Sequence, residues 1–186
     1  MNNEVFEKSI ILVGPPASGK STLSARLSLE TGFKEISVDY YRNRYRKNHN
    51  GQYTENDKLE IYREILGDLK EPAIISFGGG DGMFNDKQCE SKFRNGISNF
   101  SNVILLMYSN DKEETINELV RRRTNEFNIQ DDHVINDIAG DIKRIVNNNK
   151  FNEFCTDTIY TKNKNIDDIA NEILTVCKEN SKNRKK

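Results

Sequence analysis

The chain has 186 residues, which suits one domain with a core of ordinary size. Its charged residues (31%) nearly equal its apolar ones (35%), and a formal net charge of -1 leaves no global basic field to hold nucleic acid. The apolar residues fall in short blocks, which argues against disorder, and the longest run, Val103 to Met107, is far too short to span a bilayer. Cys89, Cys155 and Cys177 are odd in number and widely spaced, as reduced thiols are, and suggest neither a disulfide frame nor a zinc site. Glu4, Glu7 and Lys8 interrupt the N-terminus, so it has no apolar signal region, and the expectation is a cytoplasmic monomer.

In chain order, Lys8 to Val13 is an apolar run closed by glycine and predicts a buried strand. A helix follows, with Leu23 and Leu27 on one face and Gly32 as its C-terminal cap. Glu35 to Val38 predicts a second strand, the polar and aromatic stretch Tyr40 to Lys47 suits a helix, and residues 48 to 56 read as a loop. Leu59, Tyr62, Leu66 and Leu69 mark a helical face that Pro72 should end. Ala73 to Phe77 is a third strand, closed by Gly78-Gly79-Gly80.

Beyond it lie a short helix near Lys87 to Arg94 and a strand from Val103 to Tyr108. Ile116, Leu119, Val120, Arg123 and Phe127 mark one further helical face, and Val134, Ile138, Ile142 and Ile145 another. Thr158 to Tyr160 is the last strand. Asn165 can cap a final helix carrying Ile169, Ile173, Leu174 and Cys177, with a basic tail from Lys178 expected to fray. Strands alternating with helices predict an α/β fold with a parallel sheet and helices on both faces.

The sharpest signal is Gly14-Pro15-Pro16-Ala17-Ser18-Gly19-Lys20-Ser21, followed by Thr22. It satisfies Gly-x-x-x-x-Gly-Lys-Ser/Thr between a strand and a helix, the P-loop context. Glycines let successive amide N–H groups curl inward onto an anion, and the helix N-terminus adds partial positive charge. Lys20 is expected to reach the β- and γ-phosphates of ATP, and the Ser21 hydroxyl to serve magnesium. The sequence shows no Asn-Lys-x-Asp guanine-reading run and no acidic residue closing Val103 to Met107. A small kinase is left as the expected class.

The chain resembles the shikimate kinases and related small P-loop kinases from Ile10 to about Leu174. The resemblance rests on the P-loop, Asp39 after the second strand, Tyr62-Arg63-Glu64, the glycine triplet, Arg121-Arg122-Arg123, and the ending from Asp157 to Ile173. It implies a P-loop NTPase fold with five parallel strands, ATP with magnesium as donor, and a small hydroxylated acid as acceptor. It also implies site roles. Asp39 would polarise the acceptor hydroxyl, Arg63 would pair with its carboxylate, and Gly78, Gly79 and Gly80 would let it approach the backbone. One of Arg121, Arg122 and Arg123, at the start of a lid over about residues 121–132, would neutralise the moving phosphoryl group, with Arg121 and Arg122 put forward first. Residues 40–57 would form the mobile acceptor side of a single domain over 1–186.

The chain departs from the family pattern in three places. Ser37 stands where a second acidic residue would help hold magnesium. A second carboxylate-binding arginine is replaced near Asn147, with Lys150 and Arg144 as nearby substitutes. Phe127-Asn-Ile-Gln130 stands in place of Arg-Pro-Leu in the lid. The acceptor's identity stays open: shikimate leads, and a nucleoside, nucleotide or sugar acid is the alternative. A nucleotide-binding switch without turnover is the rival from another class. Each site residue also has an ordinary structural role available. Asp39 can cap a helix, Arg63 can pair with Glu60 or Glu64, the glycines can form a flexible turn, and the arginines suit a helix C-terminus. Asp81 is a minor candidate for magnesium through water, and the isolated His49 and His133 receive no role.

Overall fold

The computed structural model describes residues 3–48 and 53–183. Residues 49–52, within the expected 48–56 loop and including His49, lie outside the described residues, as does the end of the basic tail, 184–186.

Five parallel strands, β1 (Ile10–Val13), β2 (Lys34–Ser37), β3 (Ala73–Ser76), β4 (Asn102–Met107) and β5 (Asp157–Tyr160), form one sheet in the order β2-β3-β1-β4-β5. The five-stranded parallel sheet expected from the sequence is therefore present. β1, β3 and β4 occupy the centre and carry near-continuous apolar runs because both faces are covered. Alternate residues of β1 serve the two faces: Ile11 and Val13 enter one core cluster, Ile10 and Leu12 the other. The edge strands β2 and β5 are more exposed and carry polar residues such as Lys34, Glu35 and Asp157.

One face is covered by α2 (Lys20–Thr31) and α8 (Ile166–Asn183), through Leu23, Leu27, Ile169 and Ile173. On the other, α4 (Glu55–Gly67) and α5 (Lys87–Ile97) bury Ile61, Tyr62, Ile65, Phe93 and Ile97. A side chain of this size, fully buried, contributes about 1.5–3 kcal/mol relative to exposure. Tyr62 stacks on Phe77 at 5.2 Å between centroids and contacts Phe93 at 4.9 Å, forming an aromatic floor beneath the strand ends. The antiparallel pair α6 (Lys112–Glu126) and α7 (Asp132–Val146) makes a third cluster through Ile116, Leu119, Ile142 and Val146. Helix α3 (Val38–Asn48) leaves β2 directly and packs beside α4.

The local signals largely place the boundaries. Gly32 ends α2 in the left-handed conformation (φ 71°) and donates to the Ser28 carbonyl oxygen. Asn165 accepts from the Asp168 N–H at 2.8 Å and so caps α8. Several expectations need correction. Helix α4 stops at Gly67, before Leu69 and Pro72. Helix α6 stops at Glu126, so Phe127 leaves the apolar face and is 54% exposed beneath the Arg123 guanidinium. Val134 is likewise exposed, since α7 buries its later turns. The tail does not fray at Lys178. Helix α8 runs to Asn183 because the Asn180 amide donates to the Ser101 carbonyl oxygen and to Asp157. The short α1 (Asn3–Lys8) and a 3-10 helix, Asn149–Glu153, had no periodic signal in the sequence. No helix among the described residues is long and apolar enough to cross a membrane.

Candidate active site

The C-terminal ends of β1, β2 and β3 open into a polar cleft of about 740 Å³, the usual ligand position in an open parallel sheet. The P-loop forms one wall. Gly14 (φ 148°) lies against β4, where a Cβ would stand 2.5 Å from the Leu106 carbonyl oxygen. Ala17 (φ 59°) and Gly19 (φ 93°) complete the tight turn into α2. No side chain caps α2, so its first-turn N–H groups are left for an anionic ligand. Lys20 is buried and its Nζ donates to the Gly14 (3.0 Å) and Pro15 (2.7 Å) carbonyl oxygens. Burial lowers its pKa to about 8, against the opposing pull of Asp39 and Asp81, while Arg123 lowers it further. Pro16, Ala17, Gly19, Lys20, Ser21 and Thr22 line the cleft, and Ser21 and Thr22 are exposed. Gly14, Pro15 and Ser18 are buried and lie outside the cleft lining.

Asp39 lies in the cleft, on the first turn of α3. Its residue spacing also brings Arg42 and Arg46 to the cleft side of that helix. The others on α3 turn elsewhere: Arg44 pairs with Glu64, and the Tyr45 hydroxyl donates to Asp57 at 2.6 Å. Gly78, Gly79 and Gly80 also line the cleft. A Cβ on Gly78 would stand 2.4 Å from an Asp39 carboxylate oxygen, and one on Gly79 would stand 2.4 Å from the Pro16 ring. Gly80 is different: open space surrounds the position of its Cβ. Its carbonyl oxygen instead accepts from Lys58 at 2.7 Å.

The far wall comes from α6 and α7, through Arg122, Arg123 and Glu126 and through Asp141, Arg144 and Ile145. The helix turns Arg121 away. It is 62% exposed at its side chain and paired with Glu118, so of the three arginines put forward on α6 it is Arg122 and Arg123 that line the cleft. Arg122 packs over Tyr108 at 5.0 Å.

The structure places Arg63, the expected carboxylate partner, away from this cleft. It follows the buried Tyr62 by one position, about 100° around the helix, and is exposed outside the cleft lining. Lys58, one turn before Tyr62, is the inward cation of α4. It donates to the Gly80 and Met83 carbonyl oxygens and lies over the Phe84 ring, and burial lowers its pKa. A cation four residues before Tyr62 on the same apolar stripe was the available signal for it. Among the substitutes near Asn147, only Arg144 lines the cleft. Lys150 is taken up by the Phe84 carbonyl oxygen and Glu90, and Asn147 is the exposed cap of α7. Asp81, the minor candidate for magnesium through water, is 1% exposed and lies outside the cleft lining.

The donor set suits magnesium held together with a triphosphate. Ser21 offers an exposed hydroxyl, and Asp39 a half-exposed carboxylate; a magnesium ion ordinarily takes one or two protein ligands and fills the rest with phosphate and water. Ser37 and Ser76, paired in register, close β2 and β3, so neither strand end supplies a carboxylate.

This sheet order, P-loop and cleft define a P-loop nucleotide-binding domain of shikimate-kinase type. The chain belongs to the AAA domain family AAA_33, whose model matches residues 10–145. Its fold is shared with shikimate kinase from Acinetobacter baumannii in complex with shikimate, at a TM-score of 0.70, 18% identity and coverage of 96% of this chain and 98% of that one. A gluconokinase from Sinorhizobium meliloti 1021 matches at a TM-score of 0.62 and 14% identity, covering 96% and 95%. The Pentafunctional AROM polypeptide of Candida tropicalis is 28% identical over 123 residues, which are 61% of this chain but 8% of that much longer protein.

Proposed function

We propose that the protein is an ATP-dependent kinase that transfers the γ-phosphoryl group to a hydroxyl of a small, anionic metabolite, with shikimate the first candidate. The observation that carries this reading is the position of Asp39 in the same cleft as Lys20, Ser21 and the uncapped end of α2. One carboxylate oxygen is held by Arg42, and the other is available to a hydroxyl.

In this reading the P-loop amides and Lys20 bind the β- and γ-phosphates. Ser21 would help to hold magnesium, which when bound would supply charge neutralisation on the triphosphate. Asp39 orients the acceptor hydroxyl in line with the γ-phosphorus and takes its proton. The new O–P bond forms as the bond to the β-phosphate oxygen breaks, and Lys20 stays with the departing ADP. Arg122 and Arg123 meet the charge that spreads over the transferring group.

The acceptor's anion has its counter-charges in Arg46 and Arg144. Both line the cleft, on walls contributed by α3 and α7. A sugar acid such as gluconate fits the same arrangement, and the fold likeness to a gluconokinase favours it as the second candidate. The test is an ADP-release screen with Mg·ATP over shikimate, gluconate, neutral sugars and nucleosides. Stimulation by a carboxylate-bearing polyol supports the proposal. Tight ATP binding with no acceptor-dependent ADP release across the panel identifies a nucleotide switch instead.

A further inference from the structure

Asp81 immediately follows the glycine triplet and has no role in the transfer as described above. Its carboxylate is 1% exposed, a costly position for a charge unless it is paired and hydrogen-bonded. It accepts from the Gly78 N–H at 2.5 Å and from Arg42 Nη1 at 3.4 Å. The other Arg42 terminal nitrogen, Nη2, donates to Asp39 Oδ1. The Arg42 Nε is buried with no hydrogen-bond partner, so the two carboxylates hold this guanidinium. All three groups crowd one Cα: a Cβ on Gly78 would stand 2.4 Å from Asp39 Oδ1, 2.8 Å from Asp81 Oδ2 and 2.9 Å from Arg42 Nη1. A guanidinium presents several N–H groups in a rigid fork and can join two carboxylates at once, which an ammonium group does poorly.

We infer that Asp81 is a positioning residue for Asp39: anchored on the Gly78 N–H, it holds Arg42, and Arg42 holds one Asp39 oxygen so that the other faces the acceptor hydroxyl. The inference rests on the kinase reading for its effect on turnover, but the linkage itself is a property of the free protein. The buried carboxylate fixes the bridge from below, and the half-exposed one receives its orientation from the bridge. Gly78 is the residue whose missing side chain makes room for the three groups.

The experiment is a double-mutant cycle with two readouts. Asp81→Asn keeps an oxygen for the Gly78 N–H and removes the charge that anchors Arg42. With Mg·ATP and shikimate or gluconate as acceptor, Asp81→Asn should lower kcat by about a hundredfold, the cost of a misplacement near 1 Å. ATP affinity should be unchanged. In an Asp39→Asn background the same substitution should have almost no further effect, because nothing is left to position. An equal loss in both backgrounds would show a purely structural role and overturn the inference.

The second readout needs no turnover: the side-chain carboxyl 13C resonance of Asp39 in the free protein. It should move on Asp81→Asn and stay put when Asp81→Asn is made in an Arg42→Gln protein. Movement of equal size in both would overturn the inference even if the kinase reading stands. Absence of turnover with any acceptor would count against the kinase reading and leave this second readout decisive. Should Asp81→Asn fail to fold, Arg42→Lys tests the same bridge with Asp81 intact and should give a similar loss in kcat, partly additive or not at all with Asp39→Asn.

Discussion

At the scale of one residue, burial of the Lys20 ammonium carries a stability cost in the free protein. Its folded pKa, about 8, lies below the ordinary value of 10.5 because the side chain is buried. The unfolded chain therefore binds more protons between those two values, and stability from this group rises as pH climbs from about 8 towards 10.5. Held charged at neutral pH, the buried ammonium costs the free protein roughly 3 kcal/mol at about 1.4 kcal/mol per pKa unit, an upper figure for a group that also bonds two carbonyl oxygens. Urea unfolding without nucleotide should show this rise in wild type and lose it in Lys20→Met. The same titration should weaken Mg·ATP binding above pH 8, since the neutral amine no longer meets the phosphates. A wild-type stability curve that falls between pH 8 and 10, beyond the slope seen in Lys20→Met, would contradict the burial argument.

At the same scale the structure separates the arginines. Arg144→Ala and Arg46→Ala should each raise the acceptor KM by about tenfold to a hundredfold, the worth of a charge-assisted hydrogen bond of 1.5–3 kcal/mol. Arg63→Ala, on an exposed helix face, should change it by no more than about twofold. Steady-state kinetics with a carboxylate acceptor and its carboxamide will decide, and a large effect of Arg63→Ala confined to the carboxylate would restore Arg63 as the clamp.

At the scale of elements, the glycine triplet is three positions with three different requirements. Gly78 is hemmed in by Asp39, Arg42 and Asp81, Gly79 by the Pro16 ring, and Gly80 by nothing within 4 Å. Gly78→Ala should therefore cost about 1–3 kcal/mol of stability as an overpacked site, and most of the turnover. Gly80→Ala should be near neutral in thermal melting and activity. Equal tolerance at both positions would mean that the cleft is looser than its geometry implies.

The sequence made the P-loop, Asp39 and the sheet legible because each is a local pattern: a spaced motif, a strand end, a run of apolar residues. The contacts of Arg42, Lys58 and Asp81 were hidden because each depends on which way a helix or loop turns after folding. Arg42 sits three residues from Asp39 and Lys58 four from Tyr62, so helical spacing carried the information. The motif Tyr62-Arg63 drew attention to a residue outside the cleft lining, since the buried phenol fixes the rotation of α4 and sends Arg63 outward. The ends of α4, α6 and α8 were misplaced for a similar reason: tertiary partners, such as the Asn180 contacts, decide where the last turn holds.

At the scale of the whole molecule, the fold gathers one cleft at the C-terminal ends of the strands. The P-loop after β1 forms the wall proposed to take the donor, the ends of β2 and β3 with Asp39 and the glycines form the wall proposed to take the acceptor, and α6 and α7 close the far side with arginines. The most direct test is acceptor-dependent ADP release by wild type and Asp39→Asn, measured together with Mg·ATP affinity. If Asp39 is the general base, Asp39→Asn should lower kcat by roughly two to four orders of magnitude, the span of a positioned general base, with ATP affinity within about twofold of wild type. Turnover at the wild-type rate in Asp39→Asn, or a loss of ATP affinity as large as the loss of turnover, would contradict it.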